Sequence, residues 1–169
     1  ELFVMDDGWF GDKYPRKNDS SSLGDWVVDK NKLPNGIEGL LSDAKKHGVK
    51  FGIWIEPEMA NTTSELYEKH PDWVLKASER DVVLGRGGTQ VVLDLANPAV
   101  QDFVFGVVDN LMTSYPEIDY IKWDANMSVQ NHGSQYLTKD NQSHMYIEFH
   151  RGFEKICQRI RAKYPDLTI

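Results

Sequence analysis

Hydrophobic and polar positions change period several times along the chain, and each change marks an element. Leu2-Phe3-Val4-Met5 is a short unbroken apolar run, the pattern of a strand covered on both faces. A polar loop rich in Gly, Pro, Asn and Ser then runs to about Pro34. Ile37, Leu40, Leu41 and Ala44 follow at helical spacing, and Lys45-Lys46-His47 and Gly48 bring that helix to its end. Val49 to Ile55 reads as a second strand. The next loop is long, with a helical stretch near Thr63 to Lys69 and a turn at His70-Pro71. It continues through a glycine-rich mobile loop, Gly85-Arg86-Gly87-Gly88, to a short extra strand over Val91 to Leu95. Asn97 as cap and Pro98 at the first helical position open the clearest helix, whose apolar face is Val100, Phe103, Val104, Val107, Val108 and Leu111. Ile118 to Asp124 reads as a third strand. Asp140 to Lys163 reads as a long helix with Tyr146, Phe149, Phe153, Ile156 and Ile160 along its apolar line. Leu167-Thr168-Ile169 begins a fourth strand.

Strands alternating with helices imply right-handed βαβ units and a parallel sheet, so the fold class is α/β. A doubly wound sheet and a partial (β/α)8 barrel both fit. The phosphate-cradling glycine fingerprint is missing after the first strand, where Asp6-Asp7-Gly8-Trp9-Phe10 stands instead. The length of 169 residues suits one domain and is short of a complete barrel. Both ends fall inside strands, so the expectation is a segment of a longer protein.

Charge and composition narrow the function. A net charge of -7 without a basic stripe excludes a nucleic-acid binder, because neutralising phosphates needs clustered Lys and Arg. No apolar run approaches the roughly 18 residues needed to span a bilayer, so no membrane partner is expected. A single cysteine, Cys157, leaves no disulfide framework and no cysteine-based zinc site, and it reads as a buried helix residue.

The chemistry gathers where the strands end. The first delivers Asp6 and Asp7. The second delivers Trp54, Glu56 and Glu58, and the third Lys122, Trp123 and Asp124 with Asn126 close behind. In parallel α/β proteins that edge of the sheet binds ligands. Carboxylates accept hydroxyl hydrogen bonds and an indole face packs on a sugar ring, so the rim suits a polyhydroxylated substrate. Asp124 is the sharpest candidate. Lys122, two residues before it, points the same way and would keep it ionised, as the nucleophile of a retaining glycosidase must be. The plain alternative is a barrel-lining ion pair. Asp6, Asp7, Glu56, Glu58 and Asp124 could ligate Mg²⁺ or Ca²⁺ through oxygen. The five histidines are scattered, however, and no HExxH motif occurs, so neither a metal nor a cofactor is expected.

Phe3-Val4-Met5-Asp6-Asp7-Gly8-Trp9-Phe10, Leu23-Gly24-Asp25-Trp26, Phe51-Gly52-Ile53-Trp54-Ile55-Glu56-Pro57-Glu58-Met59, Val92-Leu93-Asp94-Leu95 and Lys122-Trp123-Asp124-Ala125-Asn126 occur in order through the whole chain. Together they resemble the α-galactosidases of glycoside hydrolase family 36, bacterial members above all. The resemblance implies a (β/α)8 catalytic barrel, of which this chain covers roughly strand 2 to the start of strand 5. It also implies flanking β-sandwich and C-terminal β domains that this chain lacks. The reaction it implies is retaining hydrolysis of terminal α-galactose from melibiose, raffinose and stachyose. It makes Asp124 the nucleophile and places Asp6, Asp7, Trp54, Lys122 and Asn126 on the galactose, with Arg86 the nearest match for a substrate-binding arginine. The acid/base carboxyl group falls beyond this chain, so the isolated chain is expected to be inactive. Galactose-containing oligosaccharides would be the partners, the parent a homo-oligomer (tetrameric in similar proteins), and the location cytoplasmic. A raffinose-synthase-type transferase, an α-N-acetylgalactosaminidase and a non-catalytic galactoside-binding relative stay open as alternatives.

Overall fold

The computed structural model describes residues 1–169 as an α/β fold. In chain order its elements are β1 (Leu2–Met5), α1 (Gly36–Lys46), β2 (Lys50–Ile55), β3 (Met59–Asn61), α2 (Glu65–Lys69), β4 (Gln90–Val92), α3 (Pro98–Ser114), β5 (Tyr120–Trp123) and α4 (Met145–Lys163). Short 3-10 turns occupy Pro71–Trp73 and Lys139–His144. The main sheet has three parallel strands in the order β1-β2-β5. Past β5, Thr168 makes a single parallel bridge to Tyr120, with the Ile121 N–H donating to the Thr168 carbonyl at 2.9 Å. The expected fourth strand is therefore a touch rather than an element. Spatial order follows chain order, and right-handed crossovers then put successive helices on the same side of the sheet.

Strand alternation gives the sheet two different faces. One carries Phe51, Ile53, Ile55 and Ile121, all buried in a core with Val100, Val104, Val108, Ile156 and Ile160. The other carries Trp54 and Lys122, which are register partners. Gly52 faces Tyr120 on that same side, and a Cβ at residue 52 would lie 2.9 Å from the Tyr120 ring. β1 is an edge strand, so Leu2 and Phe3 are exposed rather than covered on both faces as their apolar run suggested.

The helices form for local reasons. Asn97 caps α3 by accepting the Ala99 N–H at 3.0 Å, with Pro98 at the first position. α1 ends at His47 with Lys45 and Lys46 in its last turn. α4 departs from the expected pattern in two ways. Its first turn is 3-10, and its buried residues are Met145, Gly152, Ile156 and Ile160, while Tyr146 and Phe153 stay exposed. Gly152 explains the rotated stripe. A Cβ there would lie 1.8 Å from the Leu95 carbonyl oxygen, so the helix docks backbone against backbone on the glycine. Cys157, expected to be buried, is half-buried on the neighbouring flank.

The excursion between β2 and α3 contains a feature the sequence concealed. β3 pairs antiparallel with β4 in a second, two-stranded sheet. The glycine-rich stretch is a tight turn, closed by a bridge between Gly85 and Gln90, with Arg86 at its tip in the left-handed region (φ 42°). No helix of the chain is long and apolar enough to cross a membrane.

Candidate active site

The site is built in rows across the sheet. Register pairs Met5 with Ile53 and Trp54 with Lys122, so Asp6, Trp54 and Lys122 lie at one level on one face. Asp124 comes one alternation later at the end of β5, its backbone N–H donating to the Ile55 carbonyl at 2.8 Å. The rim expected from the sequence is thus assembled apart from Glu58, and each carboxylate meets its own donor. Lys122 Nζ donates to Asp6 Oδ2 at 2.9 Å. Trp54 Nε1 donates to Asp124 Oδ2 at 3.0 Å. The Asn126 backbone N–H donates to Glu56 Oε1 at 2.5 Å, and Trp123 Nε1 to Glu58 Oε2 at 2.7 Å. Asp7 is gripped by Arg16 through two bonds of 3.0 and 2.7 Å. No three carboxylate, His or Cys side chains converge on a common centre that could hold a metal ion.

The electrostatics follow from these contacts. Partial burial pushes the Asp124 carboxyl up. The Trp54 indole, the Asn126 side chain, the Ala125 amide and the Lys122 ammonium together outweigh that and hold it below the usual carboxylate value. The partner expected for Asp124 was Lys122, yet the ammonium sits on Asp6 and holds that carboxyl down, its own pKa raised in return. The donors on the Asp124 carboxylate are the Trp54 indole and the Ala125 amide, each at 3.0 Å. Trp54 is 3% exposed, packed parallel to Phe10 at 6.1 Å and tilted against Trp26, with its carbonyl held by the Trp9 indole at 2.9 Å. It presents its N–H edge to the site more than its ring face.

Glu56 and Glu58 are buried, and desolvation raises both, Glu58 to about 7. Glu58 feels the charge of Asp124, but its hydrogen bond is made behind the sheet. Its donor Trp123 packs edge-on against Phe153 of α4, on the helix side of the sheet. Arg86 is bound to Asp19 at 2.9 Å and lies close enough to Glu56 and Asp124 for their charge to raise its pKa further. Arg16, Asp19 and Asn61 were missed in the sequence. They lie in polar stretches with no distinguishing spacing, and burial at Arg16 and Asn61 is a property of the folded chain.

The Melibiase family model matches residues 1–169. Among curated proteins, α-galactosidase AgaA of Geobacillus stearothermophilus is 40% identical over 99% of this chain, and α-galactosidase 2 of Pediococcus pentosaceus is 40% identical over all of it. The chain spans 22% and 23% of those two relatives. The crystal structure of the α-galactosidase from Lactobacillus brevis superposes with a TM-score of 0.91 at 41% identity, over 99% of this chain and 22% of that one. A substituted AgaA crystallised in complex with raffinose superposes at 0.90 with 40% identity, again over 99% and 22%. A full-length family match, close identity and a shared fold agree, and the chain belongs to the melibiase family.

Proposed function

We propose that this chain is the nucleophile-bearing part of the catalytic barrel of a retaining α-galactosidase. In this reading it contributes roughly the second to the fifth strand of one (β/α)8 domain. Sequential parallel strand order and the Thr168 bridge beyond β5 support a sheet that continues around a barrel, since a doubly wound sheet would reverse its strand order. The observation that carries the functional reading is Asp124. It is a rim carboxylate favoured in its ionised form, oriented by the Trp54 indole and flanked by the Lys122–Asp6 pair.

Asp124 attacks the anomeric carbon of a terminal α-galactoside while the glycosidic C–O bond breaks and a second carboxyl group protonates the leaving oxygen; that group then takes a proton from the water that hydrolyses the β-galactosyl-enzyme, with net retention. The second carboxyl group of such a reaction stands about 5–5.5 Å from the first, and it is assigned to a part of the protein outside residues 1–169. Glu56 and Glu58 are engaged with the Asn126 amide and the Trp123 indole instead. Asp6 and Asp7 accept galactose hydroxyls, Lys122 and Asn126 add donors, Trp54 walls the pocket, and Arg86 reaches the substrate from its turn. A site that hydrogen-bonds an axial hydroxyl rejects the epimer lacking it, because its buried polar groups would be left unpaired. The raffinose and stachyose complexes of substituted AgaA make such oligosaccharides the substrate class to test first. The test is to trap the full-length enzyme with a mechanism-based fluorogalactoside and map the label by mass spectrometry. The label is expected on Asp124, and a label on another side chain would remove it from the role.

A further inference from the structure

The loop between β1 and α1 holds a buried charge that the proposed mechanism does not use. Arg16 is 4% exposed. A guanidinium has five N–H donors in a rigid fork, and here each finds an acceptor. Nε and Nη2 grip Asp7 side-on, and Nη2 also reaches Asp19 Oδ1 at 3.4 Å. Nη1 donates to the Ser21 carbonyl at 2.9 Å and to Asn61 Oδ1 at 3.0 Å. Asn61, at the end of β3, is itself fully engaged. Its Oδ1 accepts the Leu23 N–H, and its Nδ2 donates to the Asp19 and Thr89 carbonyls. Asp7 is thereby tied to the β3–β4 pair and not to a free loop. The other oxygen of Asp19 takes Arg86, so acid and base alternate along Asp7, Arg16, Asp19 and Arg86.

Exposed ion pairs fix little, because two long side chains must be ordered in water. The Arg16 end of this pair is ordered already, and bidentate contact fixes the plane of the carboxylate. A carboxylate offers about four acceptor positions, of which Arg16 takes two. We propose that Arg16 is a positioning residue for substrate recognition: it sets the orientation in which Asp7 presents its remaining lone pairs and, through Asp19, fixes Arg86 over the same pocket. The proposal rests on the reading of Asp7 and Arg86 as galactoside contacts.

The test is a double-mutant cycle in the full-length enzyme, with p-nitrophenyl α-D-galactoside as substrate. Arg16→Lys keeps the charge and loses the fork. It is expected to lower kcat/KM by about 100-fold, mostly through KM, the scale of a 1 Å misplacement. On an Asp7→Ala background the same change is expected to cost at least about tenfold less, the remainder passing through Asp19 to Arg86. Equal losses on both backgrounds would show that Arg16 serves the fold independently of Asp7 and would overturn the proposal. So would near-normal kcat/KM in Arg16→Lys beside a crippled Asp7→Ala. A normal Asp7→Ala would instead sink the reading of Asp7 as a sugar contact. If Arg16→Lys fails to fold, exposed Asp19→Asn serves in the same cycle. It is expected to raise KM on both backgrounds, because Asp19 also holds Arg86, and an unchanged KM counts against the chain of contacts.

Discussion

Glu58 lets a buried charge be measured against the fold. The residue is 8% exposed and its carboxyl is pushed up to about 7, first by desolvation, with Glu56 and Asp124 adding repulsion and the Trp123 indole pulling the other way. Above that pH the folded protein must carry the charge inside; an unfolded chain would release its proton near 4.5. Between 4.5 and about 7 the native state therefore binds more protons than the unfolded one, and stability falls as pH rises through that window. At about 1.4 kcal/mol per pH unit, the rise from 4.5 to about 7 corresponds to roughly 3 kcal/mol, fully lost above the upper value. Glu58→Gln stays neutral throughout, and its side-chain oxygen can still accept the Trp123 N–H. Thermal unfolding of the full-length enzyme and this variant from pH 4.5 to 8.5, taken as the difference between the two curves, isolates the one carboxyl group. The variant is expected to gain stability relative to the parent steadily across the window and to hold that gain above it. Two parallel curves would refute the argument, since they would mean that Glu58 ionises in the folded protein as it does in water.

Two further outcomes follow from contacts at the rim and behind it. Trp54→Phe keeps the packing on Phe10 and removes the N–H to Asp124, a bond to a charged group worth about 1.5–3 kcal/mol. The Asp124 carboxyl then rises, so the acid limb of the kcat/KM profile is expected to move to higher pH, and an unmoved limb would deny that the indole holds the nucleophile ionised. Gly152→Ala drives a methyl group into the Leu95 carbonyl and is expected to cost about 1–3 kcal/mol despite the better helix propensity of alanine, seen as a lower melting temperature.

Where local rules govern, the sequence was a good guide. Asn97-Pro98 announces α3 because capping needs only neighbouring atoms, and the spacing through Ile118 to Asp124 marks β5 because a short apolar strand needs only its own alternation. The rim residues were legible for the same reason, since the end of each strand follows from its start. What failed depended on contacts between distant segments. The buried stripe of α4 is set by the carbonyl that Gly152 meets, not by the largest apolar side chains. Lys122 shares a face with Asp124, as period-2 alternation requires, but its partner comes from two strands away, in a row that only the register reveals. β3 is three residues long, directly after Glu56-Pro57-Glu58, and too short for any period to show. Arg16 looks like any loop cation until Asp7 and Asn61 close around it.

Gly52 and Tyr120 occupy one space between them. The missing side chain on β2 is replaced by a ring from β5, laid across the strand just below the row that holds Trp54 and Lys122. Descent should therefore treat the two positions as a couple. Lineages that put a methyl or larger group at 52 have to shrink the residue at 120 and shift its carbonyl in step, or the floor beneath the rim buckles.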